Sequence, residues 1–539
     1  MKTINKISII VLGLAALTAT SCSDKAFDKY PTDSMQMETY VKNDSEALTI
    51  LYDAYYYLRT ISSSIITINS VGTDEAYNGK RNNSTDAIAL NECTWDATFG
   101  ISSGVWSNSY YMINRCNIVT DHEADLLNAG LVAEAKFLRA YAYFNLVRLF
   151  GACPLTVNVI GNYKDLYTYP RESVENVYAQ IESDLTAAIA GLPETRTAAA
   201  EQGRATKIAA WTLLAEVQMT RGNYSAAKAT LENVINFANA NPTKLGLEEH
   251  VAKIYDSTNA NGKEIIFAAQ FNNGATVVTN GFMSSCYING GMPGTQPIYI
   301  YPDGTKFTIT IGGGGGGLLM TWELWNKLRE NPNDERLTKL VYTGTYDTQA
   351  VDMATAEVTV YTNPDTGGTH ANIPNTLKYF DFANQGLTTC RSSCDNIIYR
   401  YGGVLLMYAE CLNETGGDAV KYINMVRTRA GAPEISVSGK DNIKQALEDE
   451  NFRELCFEGH RWFDLLRTKR LNAVMDAHFK HRTPGLSALH QGSDNGMVVT
   501  DEKATSGTPA TWRFNTDDVL FPIPYDQVQL TDWVNNPGY

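Results

Sequence analysis

The sequence predicts a mainly α-helical protein: a solenoid of antiparallel, tetratricopeptide-like helix pairs that carries a large irregular portion of loops and short hairpins. Three observations lead there. Apolar residues recur at helical spacing in several segments of both halves of the chain. Residues 204–240 and, more loosely, 399–430 read as helical hairpins. Residues 272–361 have another character, rich in Gly, Thr and Tyr with short alternating runs.

From Glu46 to Arg59, the side chains Leu48, Leu51, Tyr55 and Leu58 share one helix face. Residues 61–99, rich in Ser, Asn and Gly, read as loop. Trp106, Tyr110, Ile113 and Ile118 mark the next helix. Glu134 to Phe150 is a strong one, with Ala135, Leu138, Ala142, Leu146 and Leu149 in phase. Gly151 closes it and Pro154 stops any continuation. Ser173 to Leu192 adds another helix. In 204–240, Trp211, Leu214 and Ala215 lead into Gly222-Asn223-Tyr224, and Ala227, Leu231 and Val234 follow. Stacked pairs of this kind bury small residues where the axes approach. In the irregular portion, Lys306 to Ile311 alternates like a hairpin strand, and residues 351–377 read as a second hairpin within a loop. Gly312 to Gly317 are six consecutive glycines, which cost much backbone entropy to order. Leu318 to Arg329 reads as a helix with Trp322 and Trp325 on its core side, and residues 483–511 as a long polar surface insert.

The N-terminus carries an address. Lys2 and Lys6 precede an apolar run from Ile9 to Leu17, the layout of a secretory signal. A spanning helix needs roughly 20 apolar residues, and the run is shorter. Ala19-Thr20-Ser21-Cys22 resembles a lipoprotein cleavage box, in which Cys22 is lipidated and becomes the mature N-terminus. Each buried acyl methylene then contributes about 0.8 kcal/mol of membrane attachment. The chain divides accordingly into a signal peptide (residues 1–21), a lipid-anchored tether (22–43), an N-terminal helical region with tetratricopeptide-like pairs (44–240) and a C-terminal region that includes the Gly/Tyr-rich insert (241–539).

Composition narrows the function. A net charge of -15 at pH 7 argues against nucleic acid as a partner, because phosphate binding needs clustered Lys and Arg. Thirty tyrosines and eight tryptophans exceed what a lean core requires. Exposed aromatics suit stacking on sugar rings or on peptide side chains. Of nine cysteines, Cys390 and Cys394 are the only close pair, able to bridge or to stay reduced, while Cys411 and Cys456 read as core. No metalloprotease helix, phosphate loop or strand-to-helix nucleophile elbow stands out, so no catalytic residue, metal or cofactor is assigned. His478 and His481 lack a third ligand and read as surface residues.

The stretch from Asn451 to Arg467 is the densest in charge and aromatic area. Read as one helix, it places Glu454 and Glu458 on one face. Glu458 pairs with Arg461 and Asp464 with Arg467 along a surface edge, over a core side of Leu455, Trp462, Phe463 and Leu466. Gly459 costs such a helix about 1 kcal/mol against Ala and points to a close contact or a bend. The spacing of Arg453, Phe457, Glu458, Gly459, Arg461, Trp462, Asp464, Leu465 and Arg467 resembles the C-terminal signature of the SusD/RagB family, lipid-anchored outer-membrane proteins of Bacteroidetes that help capture nutrients. Three more segments agree: Arg400 to Glu410, Ala419 to Gly431, and the tail with Phe521-Pro522-Ile523-Pro524 and Asn536-Pro537-Gly538-Tyr539. Asp24, Lys25 and Asp28 are similar to the charged signal that sends such lipoproteins to the cell surface.

The resemblance implies a non-catalytic protein on the outer face of the outer membrane. It binds an oligosaccharide or another large nutrient and passes it to a SusC-like TonB-dependent barrel, over which it acts as a lid. It also places ligand contacts in the irregular segments rather than the solenoid. In this chain those segments hold Asp74, Glu75, Tyr77, Asn78, Arg81, Trp95, Tyr287, Tyr299 and Tyr301. Flat rings pack on pyranose faces, and Arg, Asn and Asp hydrogen-bond hydroxyls in pairs. Two other classes remain open: an extracellular glycan-degrading enzyme with a helical catalytic domain, and a peptide-binding tetratricopeptide adaptor. Release of sugars from polysaccharide, or peptide binding in the solenoid groove, would identify them.

Overall fold

A computed structural model describes residues 41–77, 85–160, 162–272, 295–299, 306–310, 318–342, 360–362, 369–371, 375–381, 392–481, 489–491, 497–499 and 513–539. The signal peptide, Cys22 and most of the tether lie outside the described residues, as do Cys390, the six glycines and most of the polar insert.

Among the described residues the longer helices of the N-terminal half are α1 (Asp44–Val71), α2 (Thr85–Asn91), α3 (Gly100–Asp121), α4 (Ala129–Phe150), α5 (Val174–Gly191), α6 (Lys207–Thr220) and α7 (Tyr224–Ala240). The longer helices of the C-terminal half are α8 (Trp322–Arg329), α9 (Tyr401–Thr415), α10 (Ala419–Arg429), α11 (Lys440–Glu454), α12 (Arg461–Arg467) and α13 (Leu471–His481). Most starts are capped by a short polar side chain. Asn43, Ser173, Thr206, Asn223 and Asp418 each accept a backbone N–H from the first turn that follows. Each such cap is worth about 1 kcal/mol. Between α6 and α7 the chain reverses through Gly222 at φ +74°, a left-handed conformation that glycine adopts without steric cost.

The helices pack in sequence, α1 on α3, α3 on α4, α4 on α5, α5 on α6 and α6 on α7. The series then passes to the other half, with α7 on α9 and α9 on α10. One solenoid is thus assembled from both ends of the chain. Its centre is α4. From Leu131 to Phe150 only Lys136 and Arg148 are not fully buried, so this helix is enclosed all round rather than along one stripe, with Glu134, Arg139 and Asn145 inside as well. A second apolar cluster joins α6 and α7 to α9 and α10 through Leu231, Val234, Leu405 and Ile423.

Four of the sequence expectations change. Helix α1 does not end at Arg59 but runs to Val71. The polar residues that read as loop close their bonds inside the helix. Ser63 donates to Arg59 O at 3.0 Å, Thr67 to Ser63 O at 2.9 Å and Asn69 to Ile65 O at 2.9 Å. The stretch 451–467 is not one helix. Helix α11 stops at Glu454, Phe457 (φ +63°) and Gly459 (φ +85°) turn the chain, and α12 starts at Arg461. A Cβ on Gly459 would lie 3.3 Å from Ile65 Cγ2, so the bend lets the turn press against α1. The charges of the stretch are interior rather than an edge, as described below. His478 is buried, with Nδ1 2.9 Å from Glu323 Oε1, and is not a surface residue.

Strands are short. β2 (Ile265–Ala269) pairs antiparallel with β6 (Asn396–Arg400) under the solenoid. β1 (Ala76–Tyr77), β3 (Leu319–Met320), β4 (Val341–Tyr342) and β5 (Asn375–Thr376) form an antiparallel sheet in the order β1-β3-β5-β4. Residues 295–299 pair with 306–310, and 360–362 with 369–371, as two hairpins at the places the alternation predicted.

The C-terminal tail closes the N-terminal core. Phe521 stacks on Trp95 with ring centroids 4.7 Å apart. Trp95 Nε1 donates to the Tyr539 hydroxyl at 2.7 Å, and Asn536 Nδ2 donates to Phe150 O and Phe521 O.

Candidate functional site

The four-stranded sheet decides where the irregular segments leave the frame. β1 is followed by residues 78–84, β3 is preceded by 300–317, and β4 and β5 are joined through 343–374. In the observed register Tyr77 pairs with Leu319, so the exit of β1 and the entry of β3 share one end of the sheet. Asn375 pairs with Tyr342, so the exit of β4 and the entry of β5 share the other. Each strand is two residues long, about 7 Å. Three long segments of the chain therefore depart within one small area.

That area is locked from below by buried charge. Arg400 Nε donates to Glu458 Oε2 at 2.6 Å, and its Nη1 donates to Glu454 Oε1 at 2.6 Å and to Glu264 Oε1 at 3.1 Å. Arg429 spans Glu264 and Glu454. Arg336 grips Asp334, Glu450 and Glu454, and Arg427 also reaches Glu450. Lys378 donates to Glu458 Oε1 at 2.7 Å and to the carbonyls of Glu454 and Cys456, both at 2.8 Å. Five carboxylates (264, 334, 450, 454, 458) thus meet five cations (336, 378, 400, 427, 429), and every one is buried. Burial alone would raise the Glu458 pKa, but Arg400 and Lys378 outweigh it and hold it at about 2. Glu454 is held far below the carboxylate range in the same way, by Arg429, Arg400 and Arg336 against burial.

Strands β1 and β5 are tied to this network or to the turn that carries it, and β3 is tied to the lead of β1. Arg461 holds Asp74, just before β1, through two bonds of 2.8 and 2.7 Å. Phe457 N donates to Glu75 Oε2 at 3.1 Å. Thr321, just after β3, donates through N to Glu75 O at 3.0 Å and through Oγ1 to Asp74 O. Lys378 and Tyr379 follow β5, and the Tyr379 hydroxyl donates to Phe457 O at 2.6 Å. The 451–467 motif is the foundation of the loop-bearing sheet.

Two further acids sit at departure points and are pushed the other way. Burial raises Glu75 to about 8, against the bond from Phe457 N. Asp395 accepts Phe271 N at 2.7 Å where the chain leaves for 273–294, and burial raises it to about 7. A carboxyl whose folded pKa exceeds its unfolded value stabilises fully below the unfolded pKa. That contribution is lost as pH rises through the folded value. Thermal stability therefore falls from about pH 5 to about pH 9, and Glu75→Gln reduces the fall because the amide keeps an acceptor for Phe457 N and no longer ionises. A pH series of melting temperatures for both proteins checks this; an unchanged slope would contradict it.

The sequence-derived ligand residues separate on this frame. Asp74 is 6% exposed and engaged by Arg461, and Glu75 is buried. Trp95 is 0% exposed, packed among Phe99, Trp462, Phe514 and Phe521. None of the three presents a surface for a sugar, so Asp74 and Trp95 are corrected from ligand contacts to interior supports. The reason is that Arg461 and Phe457 N draw Asp74 and Glu75 inward, and the rings of the C-terminal tail enclose Trp95. Tyr77 lies on β1 and Tyr299 on the strand 295–299 by backbone position, while Asn78, Arg81, Tyr287 and Tyr301 lie outside the described residues. Residues 100–104 spell the G-x-S-x-G pattern of serine hydrolases. Ser102 sits buried inside the first turn of α3 and donates to Phe99 O at 3.1 Å, so it is no exposed nucleophile. Cys394 is buried with Sγ 3.7 Å from Tyr255 O, and Cys411 and Cys456 are buried as expected.

Sequence reading passed over one exposed aromatic group. Tyr52 and Tyr56 on α1 and Tyr111 on α3 are 49%, 57% and 38% exposed, with Tyr57 between them. The run Tyr55-Tyr56-Tyr57 with Tyr52 one turn earlier was the available signal, since Tyr52, Tyr56 and Tyr57 fall off the Leu48-Leu51-Tyr55-Leu58 face.

A stiff helical frame from whose short, locked sheet long segments leave at both ends suits a recognition protein. The comparisons agree. Residues 263–539, just over half of the chain, match the model of the SusD family, and residues 22–219 match a model described as starch-binding associating with outer membrane. The chain belongs to the SusD family, whose members are non-catalytic. A SusD-like protein of Formosa agariphila, P2, is 27% identical over 508 residues, covering 90% of this chain and 94% of its own. A crystal structure of a SusD-like protein from Bacteroides fragilis superposes with a TM-score of 0.69 at 21% identity, over 94% of this chain and all of that one. A laminarin-binding SusD-like protein superposes with a TM-score of 0.67 at 23% identity, over 93% and 100%. At these identities the two structures establish a shared fold.

Proposed function

We propose that this chain is a cell-surface lipoprotein, anchored through Cys22, that binds a neutral oligosaccharide and delivers it to a SusC-like TonB-dependent outer-membrane barrel. The observation that carries the reading is the small sheet from which segments 78–84, 300–317 and 343–374 depart together. Such a placement suits capture of an extended ligand, and a relative of the same fold binds laminarin. Tyr77, Asn78, Arg81, Tyr287, Tyr299 and Tyr301 are the contacts this reading assigns, with rings for pyranose faces and polar groups for hydroxyls. In this reading residues 22–43 join the lipid anchor to the helical frame.

Calorimetric titration of the mature chain with laminari- and malto-oligosaccharides tests the binding. Micromolar to millimolar affinity is expected for one series, reduced about tenfold or more in Arg81→Ala and Tyr287→Ala, with no sugar released on long incubation. Co-purification of a large barrel from outer membranes, lost with Cys22→Ala, tests delivery. Turnover of a glycan by the purified chain would overturn the reading.

A further inference from the structure

The aromatic group on α1 and α3 shares no residue with the proposed loop site. Tyr56 and Tyr57 rings are 5.5 Å apart at 81°, and Tyr57 and Tyr111 are 5.5 Å apart at 32°. The Arg115 guanidinium stands 5.7 Å from the Tyr57 ring centroid, and its Nε donates to Asp53 Oδ2 at 2.5 Å. Among the described residues, its two terminal nitrogens have no protein acceptor. Both carrier elements are long helices packed on each other, so the rings sit on rigid backbone rather than on loops.

The chemistry of this patch selects its ligand. Tyr57 and Tyr111, 5.5 Å apart and tilted by 32°, match the scale of successive sugar residues, each of which offers a C–H face to a ring, and Tyr56 stands edge-on beside them. Arg115 is neutralised by Asp53 yet keeps N–H donors to spare, which suits uncharged hydroxyls. The patch itself carries no net charge, whereas the chain carries -15, so an anionic glycan is repelled from its surroundings and a neutral one is not. An aliphatic protein partner finds little complement, because the large exposed apolar side chains here are all tyrosines.

We propose that Tyr56, Tyr57, Tyr111 and Arg115 form a second, weaker platform for a neutral polysaccharide chain, separate from the loop face. The proposal rests on the glycan-binding reading of the protein and adds to it: two contacts on one polymer raise its retention beyond that of either alone.

Affinity electrophoresis of the mature chain in gels containing laminarin or starch, beside calorimetry with the matching hexasaccharides, tests it. In Tyr56→Ala/Tyr111→Ala, retardation by the polymer drops about tenfold. The hexasaccharide affinity of the loop face and the melting temperature stay at wild-type values. Tyr56→Phe/Tyr111→Trp keeps the retardation, because stacking survives. In Arg81→Ala/Tyr287→Ala, a residual retardation persists, and adding the two alanines on α1 and α3 abolishes it. Unchanged retardation in Tyr56→Ala/Tyr111→Ala overturns the platform while leaving the loop site standing. Absence of retardation and of hexasaccharide binding in the wild-type chain overturns the glycan reading itself.

Discussion

Arg400→Met lowers the free energy of unfolding by about 3–5 kcal/mol, because it leaves Glu458 buried without its main partner and takes from Glu454 one of its three arginines. Arg400 makes bonds of 2.6 Å to each of these carboxylates and is almost fully enclosed. The Coulomb attraction of such a group and the dehydration of its ions are both large, and the balance holds only while each charge is matched. Reversible urea denaturation at neutral pH measures the loss. The double variant Arg400→Met/Glu458→Gln recovers part of it, since removing the stranded charge removes its desolvation cost. The same network sets an acid limit. The folded pKa of Glu458 is depressed to about 2, so its contribution is complete above the unfolded value near 4.5 and is lost as pH falls towards 2. A stability change below 1 kcal/mol in Arg400→Met would show that solvent reaches the network.

Trp95→Ala costs about 3–5 kcal/mol, the usual range for deleting a buried large aromatic side chain. Four rings surround Trp95, and Tyr539 loses its 2.7 Å partner. Its place in an irregular segment made Trp95 a candidate ligand contact rather than a core residue. The structure reverses that expectation: the melting temperature falls, and proteolysis removes the tail beyond Phe521 earlier than in wild type. Calorimetric melting and timed digestion check both. An unaltered melt would mean that Trp95 is not enclosed.

The helix pairs were legible because their signals are local. Gly222-Asn223 supplies both a left-handed turn and the next cap, and α6 and α7 fall on either side of it. The hairpin of residues 306–310 was legible by alternation alone. What was hidden depends on partners distant in sequence. Glu458 looked paired with Arg461 three residues on, but its cations are Arg400 and Lys378, 58 and 80 residues away. Asp74 takes Arg461 instead, 387 residues on. The polar end of α1 was misread because hydroxyls bonded to the preceding turn look, in sequence, like loop chemistry. Of the loop site, sequence gave the segments, and the sheet explains how they come to leave one place.

The contact between Trp95 and Tyr539 spans 444 positions. A ribosome that has released the first helices has not yet made the rings that seal them. The early half must therefore stay wet and incompletely packed until synthesis ends, and loop closure over that distance slows the final collapse.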